Sequence, residues 1–385
     1  MFDANKVTRM SIPGWEAVYR AEIVPGVVSI IAIHDTTRGW ALGGCRMSHY
    51  DNESEALTDV LRLSRGMTFK NAIADLPLGG GKSLIICNPK IQGQERRDIL
   101  ENFGRFVAWV NRESNRYCTA EDMNTTVADM NFVKKFTDNI FGTSVDPSPF
   151  TAWGVFSGIE YAVHYFAMDL FNGERDLAGK RVLVQGLGKV GRTLLEYLES
   201  HGARLYISDI NEQAIEEATK KHPNLTVVAP EDIFNVEVDV FAPCARGEVI
   251  TLKNISQAKF RIICGAANNQ LQNVATGKKL QNHGIVYCPD YVANLGGVCS
   301  IQYYEIEGDD PAVTNQKIKA TVRKMLGLTF QAGFRNHLSF NDSVDHVVKK
   351  IVWGKRMGEG EINNEELFPL TFHGEPHPSG HRDEV

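Results

Sequence analysis

RVLVQGLGKVGRTLLEYL, residues 181–198, decides the fold. The apolar run RVLVQ (181–185) is followed by a glycine-rich turn, Gly186-Leu187-Gly188-Lys189-Val190-Gly191. Leu194, Leu195 and Leu198 then recur at helical spacing. Strand, GxGxxG turn and helix in that order make a dinucleotide cradle; the same glycines without those flanks would be only a turn. The first glycine permits the tight turn, the second lets backbone approach a pyrophosphate, and the third lets helix pack on strand. The helix N-terminus supplies N–H groups and the positive end of its dipole. The next apolar run, RLYIS (204–208), ends at Asp209, 18 residues past Gly191. A carboxylate there can bind adenosine ribose hydroxyls and repel the extra phosphate of NADP, so NAD is the expected cofactor.

Beyond this unit, strand candidates recur at Leu205–Ser208, Leu225–Val228, Val238–Ala242, Arg261–Cys264 and Ile285–Tyr287, separated by crossover-length segments. Such alternation predicts a parallel, doubly wound sheet. Upstream the chain is more mixed. Residues 22–34 read as extended structure with a Pro-Gly break, Ala56–Ser64 and Ile99–Val110 carry helical stripes, and Leu84–Cys87 reads as a buried strand. The expectation is an α/β protein of two domains with a cleft between them. A mixed substrate domain would occupy 1–145 and a doubly wound NAD-binding domain 146–330. The junction is placed at VDPSPF (145–150), and helices are expected over 316–332 and 343–356.

Composition narrows the function. Of 385 residues, 43% are apolar and 23% charged, ordinary globular usage, with a formal net charge of −6. Residues 358–385 hold seven acidic residues against one arginine, so the imbalance lies in a tail expected to be disordered. A neutral body with an acidic end is a poor polyphosphate binder, so no nucleic-acid partner is expected. No apolar run is long enough for a membrane span, and no secretory signal opens the chain. The seven cysteines form no CxxC and read as reduced, buried thiols of a cytoplasmic protein. His373, His377 and His381 sit in the polar tail and are read as solvated, so no metal is expected.

GGGKS (79–83) invites a P-loop reading, that of a nucleotide triphosphatase or kinase. The pattern needs a glycine five positions before Gly81, where Leu76 stands. A second reading pairs Lys82 with Lys70, the two flanking an apolar hairpin-like stretch. Two lysines in one water-poor site depress each other's pKa, leaving one fixed cation and one lysine able to exchange protons near neutrality. Oxidation of an amino acid needs such a set, a cation for the carboxylate and a base at the reacting carbon.

Eight stretches then occur in order: GWALGGCRM (39–47), LRLSRGMTFKNAIADLPLGGGKS (61–83), TAEDMNT (119–125), DPSPFTAWGV (146–155), VQGLGKVG (184–191), FAPCARG (241–247), GAANNQL (265–271) and DYVANLGGV (290–298). Together they resemble the leucine/phenylalanine/valine branch of the glutamate dehydrogenase-like amino acid dehydrogenases, over about residues 30–356. The resemblance implies that Lys70 binds the substrate carboxylate, that Lys82 is the catalytic lysine, and that Asp122 exchanges a proton with the substrate nitrogen. It implies that Thr151 and Asn294 hold the nicotinamide, that Asn268 lies between cofactor and substrate, and that Ala242 belongs to the cofactor site. Leu42, Gly43, Ala120, Val298 and Ile301 would line the substrate pocket. Leu42 replaces the lysine that glutamate enzymes carry, so an apolar substrate, a branched chain such as leucine first, is expected. The sequence departs from the family at Trp40, Cys45, Arg246, Tyr303 and Tyr304. Trp40 and the two tyrosines keep phenylalanine or tryptophan as the alternative. Family likeness also implies that 331–357 returns to the 1–145 domain and that the chain forms a homo-oligomer.

Overall fold

The computed structural model describes residues 2–353 apart from 114, 115, 145 and 246; Arg246 and the acidic tail lie outside the described residues. Two sheets organise the chain. The first contains β1 (Val7–Met10), β2 (Ala17–Val24), β3 (Val27–Asp35), β4 (Ala41–Leu42), β5 (Cys45–Ser48), β6 (Gly79–Ile86) and β7 (Tyr117–Cys118). Its spatial order is β1-β2-β3-β6-β4-β7, with β5 also paired to β6. The pairings from β1 through β2 and β3 to β6 are antiparallel, and those of β4, β5 and β7 are parallel. Pro25-Gly26 makes the turn between β2 and β3, with Gly26 at φ +77°.

The second sheet contains β8 (Arg181–Gln185), β9 (Arg204–Ser208), β10 (Thr226–Val227), β11 (Val240–Pro243), β12 (Ile262–Ile263) and β13 (Val286–Tyr287). All its pairings are parallel, in the order β10-β9-β8-β11-β12-β13. This is the doubly wound order, and its crevice opens where the winding reverses, between the carboxyl ends of β8 and β11.

Two expectations need correction. The stretch from Lys70 to Lys82 is no hairpin. The helix of Ala56 and Ser64 continues to Ile73 because Thr68, Asn71 and Ala72 keep its buried face going. The chain then turns through Asp75, at φ +56°, into β6. That strand starts at Gly79, five residues earlier than expected, which overturns the P-loop reading: GGGKS is paired strand, with Lys82 opposite Ala32 of β3. Its glycines answer to close packing. A Cβ on Gly80 would meet Thr68 N at 2.1 Å, and one on Gly81 would meet the Tyr117 ring at 2.7 Å.

Helix Ser148–Tyr165 begins beyond the junction and packs on the long helix Pro311–Asn336, where Trp153 Nε1 donates to Asn315 O at 2.8 Å. Helix Phe340–Trp353 packs against both Glu53–Ile73 and Val274–Asn282, tying the two sheet units together. The largest core runs from Val182, Val184 and Val240 of the parallel sheet through Phe156 and Phe330 to Ala72 and Ile73. A second core, with Ile31, Met47, Phe103, Phe106 and Tyr117, fills the space under the mixed sheet. Among the described residues, no helix is long and apolar enough to cross a membrane.

Candidate active site

A cavity of about 290 Å³ opens between the two sheet units. Helix Glu53–Ile73 presents Lys70 and Met67 to it, β4 presents Leu42, the link from β4 to β5 presents Gly43 and Gly44, and β6 presents Lys82. The loop after β7 adds Ala120, Glu121 and Asp122. From the other side come Thr151, Asn268, Asn294, Val298 and Ile301. Eleven of these fourteen positions are ones the sequence singles out, and they meet here although separated by up to 259 residues.

Lys82 is 5% exposed, and its Nζ lies 3.0 Å from Asp122 Oδ2. Arg46 Nε, 3.1 Å from the same oxygen, is a second cation on that carboxylate. Burial pushes the Asp122 carboxyl up, but Lys82 and Arg46 hold it below the ordinary aspartate range. Burial pushes the Lys82 ammonium down, with Asp122 resisting. Lys70, half-buried on the cavity wall, is also pushed down by burial; Asp290 resists and Lys82 adds to the push. Mutual repulsion between the lysines is therefore not the main cause, as the sequence suggested. Desolvation dominates both, and the cation pressing on Lys82 is Arg46.

The opposite wall fits a dinucleotide. Asn294 is buried, its Nδ2 donates to Ala266 O at 3.1 Å and to Asn268 Oδ1 at 2.8 Å, and its own Oδ1 has no partner among the described residues. An unsatisfied buried acceptor suits a carboxamide N–H₂. Thr151 Oγ1 donates to Pro147 O at 3.0 Å and keeps its acceptor capacity. Asp290 accepts from Asn269 N at 2.7 Å and from the Tyr287 hydroxyl at 3.1 Å, which anchors the Asn268 loop. At the glycine turn, Gly186 has φ +97°, and a Cβ on Gly191 would strike Gly186 O at 1.9 Å, whereas Gly188 faces open space. Helix Lys189–Ser200 starts directly after Gly188. A close-packed turn open only at its middle glycine is what a pyrophosphate requires.

Other cofactor positions behave differently. Asp209 accepts from Leu187 N at 2.6 Å and from Asn211 N at 2.8 Å, so it also ties down the glycine turn. Lys189 pairs with Asp146 at 2.9 Å across the junction, and Val190 is half-buried beside it. Ala242 stands near the carboxyl end of β11, a central strand covered on both faces, and its side chain is wholly buried.

Sequence reading missed Arg46, Met67, Gly142 and Glu305. Gly142, at φ +72°, closes the cavity between Ala120 and Ile301. Glu305 accepts from Gly142 N at 2.6 Å and from Thr143 N at 3.2 Å. It stands on a π-helical turn, Ile301–Ile306, a feature that often marks functional sites. The residues proposed to enlarge the pocket do not line it. Trp40 is 42% exposed, Tyr303 lies under Lys317, and Tyr304 packs on Phe150.

The family model for the Glu/Leu/Phe/Val dehydrogenase dimerisation domain matches residues 16–139, and that for Glutamate/Leucine/Phenylalanine/Valine dehydrogenase matches 205–348. The chain belongs to this dehydrogenase family. The enzyme is 46% identical to leucine dehydrogenase of Geobacillus stearothermophilus over 72% of its own length and 74% of that protein's. It is 39% identical to L-tryptophan dehydrogenase of Nostoc punctiforme over 88% of its length and 91% of that protein's. A crystal structure of the Nostoc punctiforme L-tryptophan dehydrogenase superposes with a TM-score of 0.78 at 37% identity, covering 89% of this chain and 97% of that one. The protein is thus an amino acid dehydrogenase with a nucleotide-binding domain, acting on a small-molecule substrate.

Proposed function

We propose that the enzyme carries out the NAD-dependent, reversible oxidative deamination of an apolar L-amino acid, branched-chain first, to the 2-oxo acid and ammonia. The carrying observation is the Lys82–Asp122 pair, 3.0 Å apart, with Lys70 on the same cavity and Asn294 opposite. Lys70 takes the α-carboxylate and so turns the α-carbon toward Asn294 and Thr151. Asp122 accepts a proton from the substrate amino group. Held between Asn294 and Thr151, NAD would supply the acceptor for the α-carbon hydride. Lys82 in its neutral form removes a proton from the water that adds to the resulting imine. Asp122 then returns its proton to the nitrogen, and Lys82, having released its first proton to solvent, takes the hydroxyl proton as the carbonyl forms and ammonia leaves.

Leu42, Met67, Ala120, Val298 and Ile301 support an apolar side chain, since a buried carboxylate there would have no partner. Gly186, Gly188, Lys189, Val190, Gly191 and Asp209 would hold the rest of NAD. Asp209 keeps lone pairs for ribose hydroxyls after its two N–H bonds. The matched dimerisation-domain family supports a homo-oligomer. Seven free cysteines, six of them buried, support a reducing compartment such as the cytoplasm. The likeness to L-tryptophan dehydrogenase keeps an aryl substrate as the second reading. The deciding test is kcat/KM for 4-methyl-2-oxopentanoate, phenylpyruvate, indolepyruvate and 2-oxoglutarate with ammonia, each with NADH and NADPH. Preference for 2-oxoglutarate or for NADPH would overturn the proposal. Preference for an aryl pyruvate would replace the branched-chain assignment by the second reading.

A further inference from the structure

Asp122 Oδ2 is shared between two cations. Lys82 Nζ lies 3.0 Å from it and Arg46 Nε 3.1 Å from it, so the two positive groups are within about 6 Å of each other. Arg46 is held at its far end as well, because Nη1 donates to Asp59 Oδ2 at 2.9 Å. Asp59 Oδ2 also accepts from the Tyr50 hydroxyl at 2.8 Å, and Asp59 Oδ1 meets Arg62 at 3.4 Å. A row of alternating charge therefore runs from β6, through the loop after β7 and β5, to helix Glu53–Ile73. Other groups near the pair are Lys70, the neighbouring Glu121, and the Cys45 thiol, which burial pushes up to about 12 and so keeps neutral.

Under the reading just proposed, on which this inference rests, Lys82 spends part of each cycle without its proton. Were Lys82 the sole cation on Asp122, every such step would leave a buried carboxylate unpaired, a costly state. The pair would then share one proton rather than divide two tasks. A guanidinium does not lose its proton in this range, and its planar fork can grip two carboxylates at once. We infer that Arg46 is a positioning residue of the reaction: its permanent charge keeps Asp122 ionised, beside a neutral Lys82, until Asp122 takes the proton of the substrate amine, and its clamp on Asp122 and Asp59 keeps Asp122 aimed through the cycle.

The sign of the test follows from charge. Removing Arg46 takes a like charge away from Lys82 and leaves Asp122 to bind Lys82 alone, so Lys82 holds its proton to higher pH. At this separation and an effective dielectric near 20, the shift is about one to two pH units. The experiment compares pH profiles of kcat/KM for amino acid oxidation in the wild type, Arg46→Met, Arg46→Lys and Asp59→Asn, with Lys82→Ala as reference. The substrate's own amine titrates identically throughout, so differences between profiles belong to the enzyme. Arg46→Met should lose about 10-fold or more in kcat near neutrality and move the base limb alkaline. Arg46→Lys should keep the limb near its wild-type position while kcat falls. Asp59→Asn, which removes the anion facing Arg46, should move the limb toward acid and serves if Arg46→Met does not fold. Limbs unmoved in the folded variants, with Lys82→Ala inactive, would overturn the role of Arg46 alone. An active Lys82→Ala would instead overturn the reaction assigned to the site.

Discussion

Replacing Lys82 by alanine removes the Nζ that lies 3.0 Å from Asp122 Oδ2. On the proposed mechanism this deletes the base that activates water, a loss of about 10²–10⁴-fold in kcat. Stability should respond much less. Breaking a buried ion pair ordinarily costs about 3–5 kcal/mol because it strands a charge. Here Arg46 stays 3.1 Å from the same carboxylate oxygen, so Asp122 is not stranded. What remains is lost packing of the lysine stem and one hydrogen bond, about 1–2 kcal/mol, or a few degrees in Tm. NADH affinity should stay within about twofold of wild type, because the glycine turn, Asp209 and Asn294 stand on the parallel-sheet side. Three measurements check this: NADH formation at 340 nm, a thermal melt, and NADH fluorescence titration. Turnover within a few-fold of wild type would refute the base assignment. A collapse in Tm would refute the claim that Arg46 compensates.

The apolar cavity should favour 4-methyl-2-oxopentanoate over 2-oxoglutarate by about 10³-fold in kcat/KM, the effect of several kcal/mol for an unpaired buried carboxylate; comparable values would refute it. Gly142→Ala puts a methyl 3.4 Å from Ala120 Cβ at a backbone φ of +72°. It should depress kcat/KM for branched substrates about 10–100-fold more than for pyruvate, and equal losses would show only backbone strain. Asp209→Ala should narrow the preference for NAD over NADP but also weaken both cofactors, since Leu187 N loses its acceptor. Asp209→Asn, which can still accept from Leu187, should narrow the preference with less loss of affinity, and dissociation constants for both cofactors measure this.

The parts of the site legible in the sequence were those written as local pattern. The strand, glycine turn and helix around Gly186–Gly191 declare themselves within 18 residues, and parallel-sheet alternation follows from short apolar runs. The lysine pair was legible as chemistry but not as geometry. The strand expected over Leu84–Cys87 omits the three glycines before Lys82 because glycine is rare in strands, whereas here they belong to one. Their reason lies in Thr68 and Tyr117, contacts that no local period records. Arg46 escaped because its partner, Asp122, is 76 residues away. Trp40, Tyr303 and Tyr304 misled because residue type says nothing about the direction a side chain takes.

The three consecutive glycines of β6 also bear on how the enzyme tolerates change. Helix Glu53–Ile73 rests on that strand at Gly80, where an added Cβ would meet both the main-chain N and the Oγ1 of Thr68 at 2.1 Å. The gap separating the Lys70 element from the Lys82 element is thus fixed by a bare glycine against Thr68, a contact with no room to repack. Substitutions on the outer face of the helix can accumulate without altering this spacing, whereas any added carbon on Gly80 acts as a wedge that drives the lysines apart. The enzyme thereby separates a freely varying exterior from a gauge whose length is fixed by one glycine and one threonine.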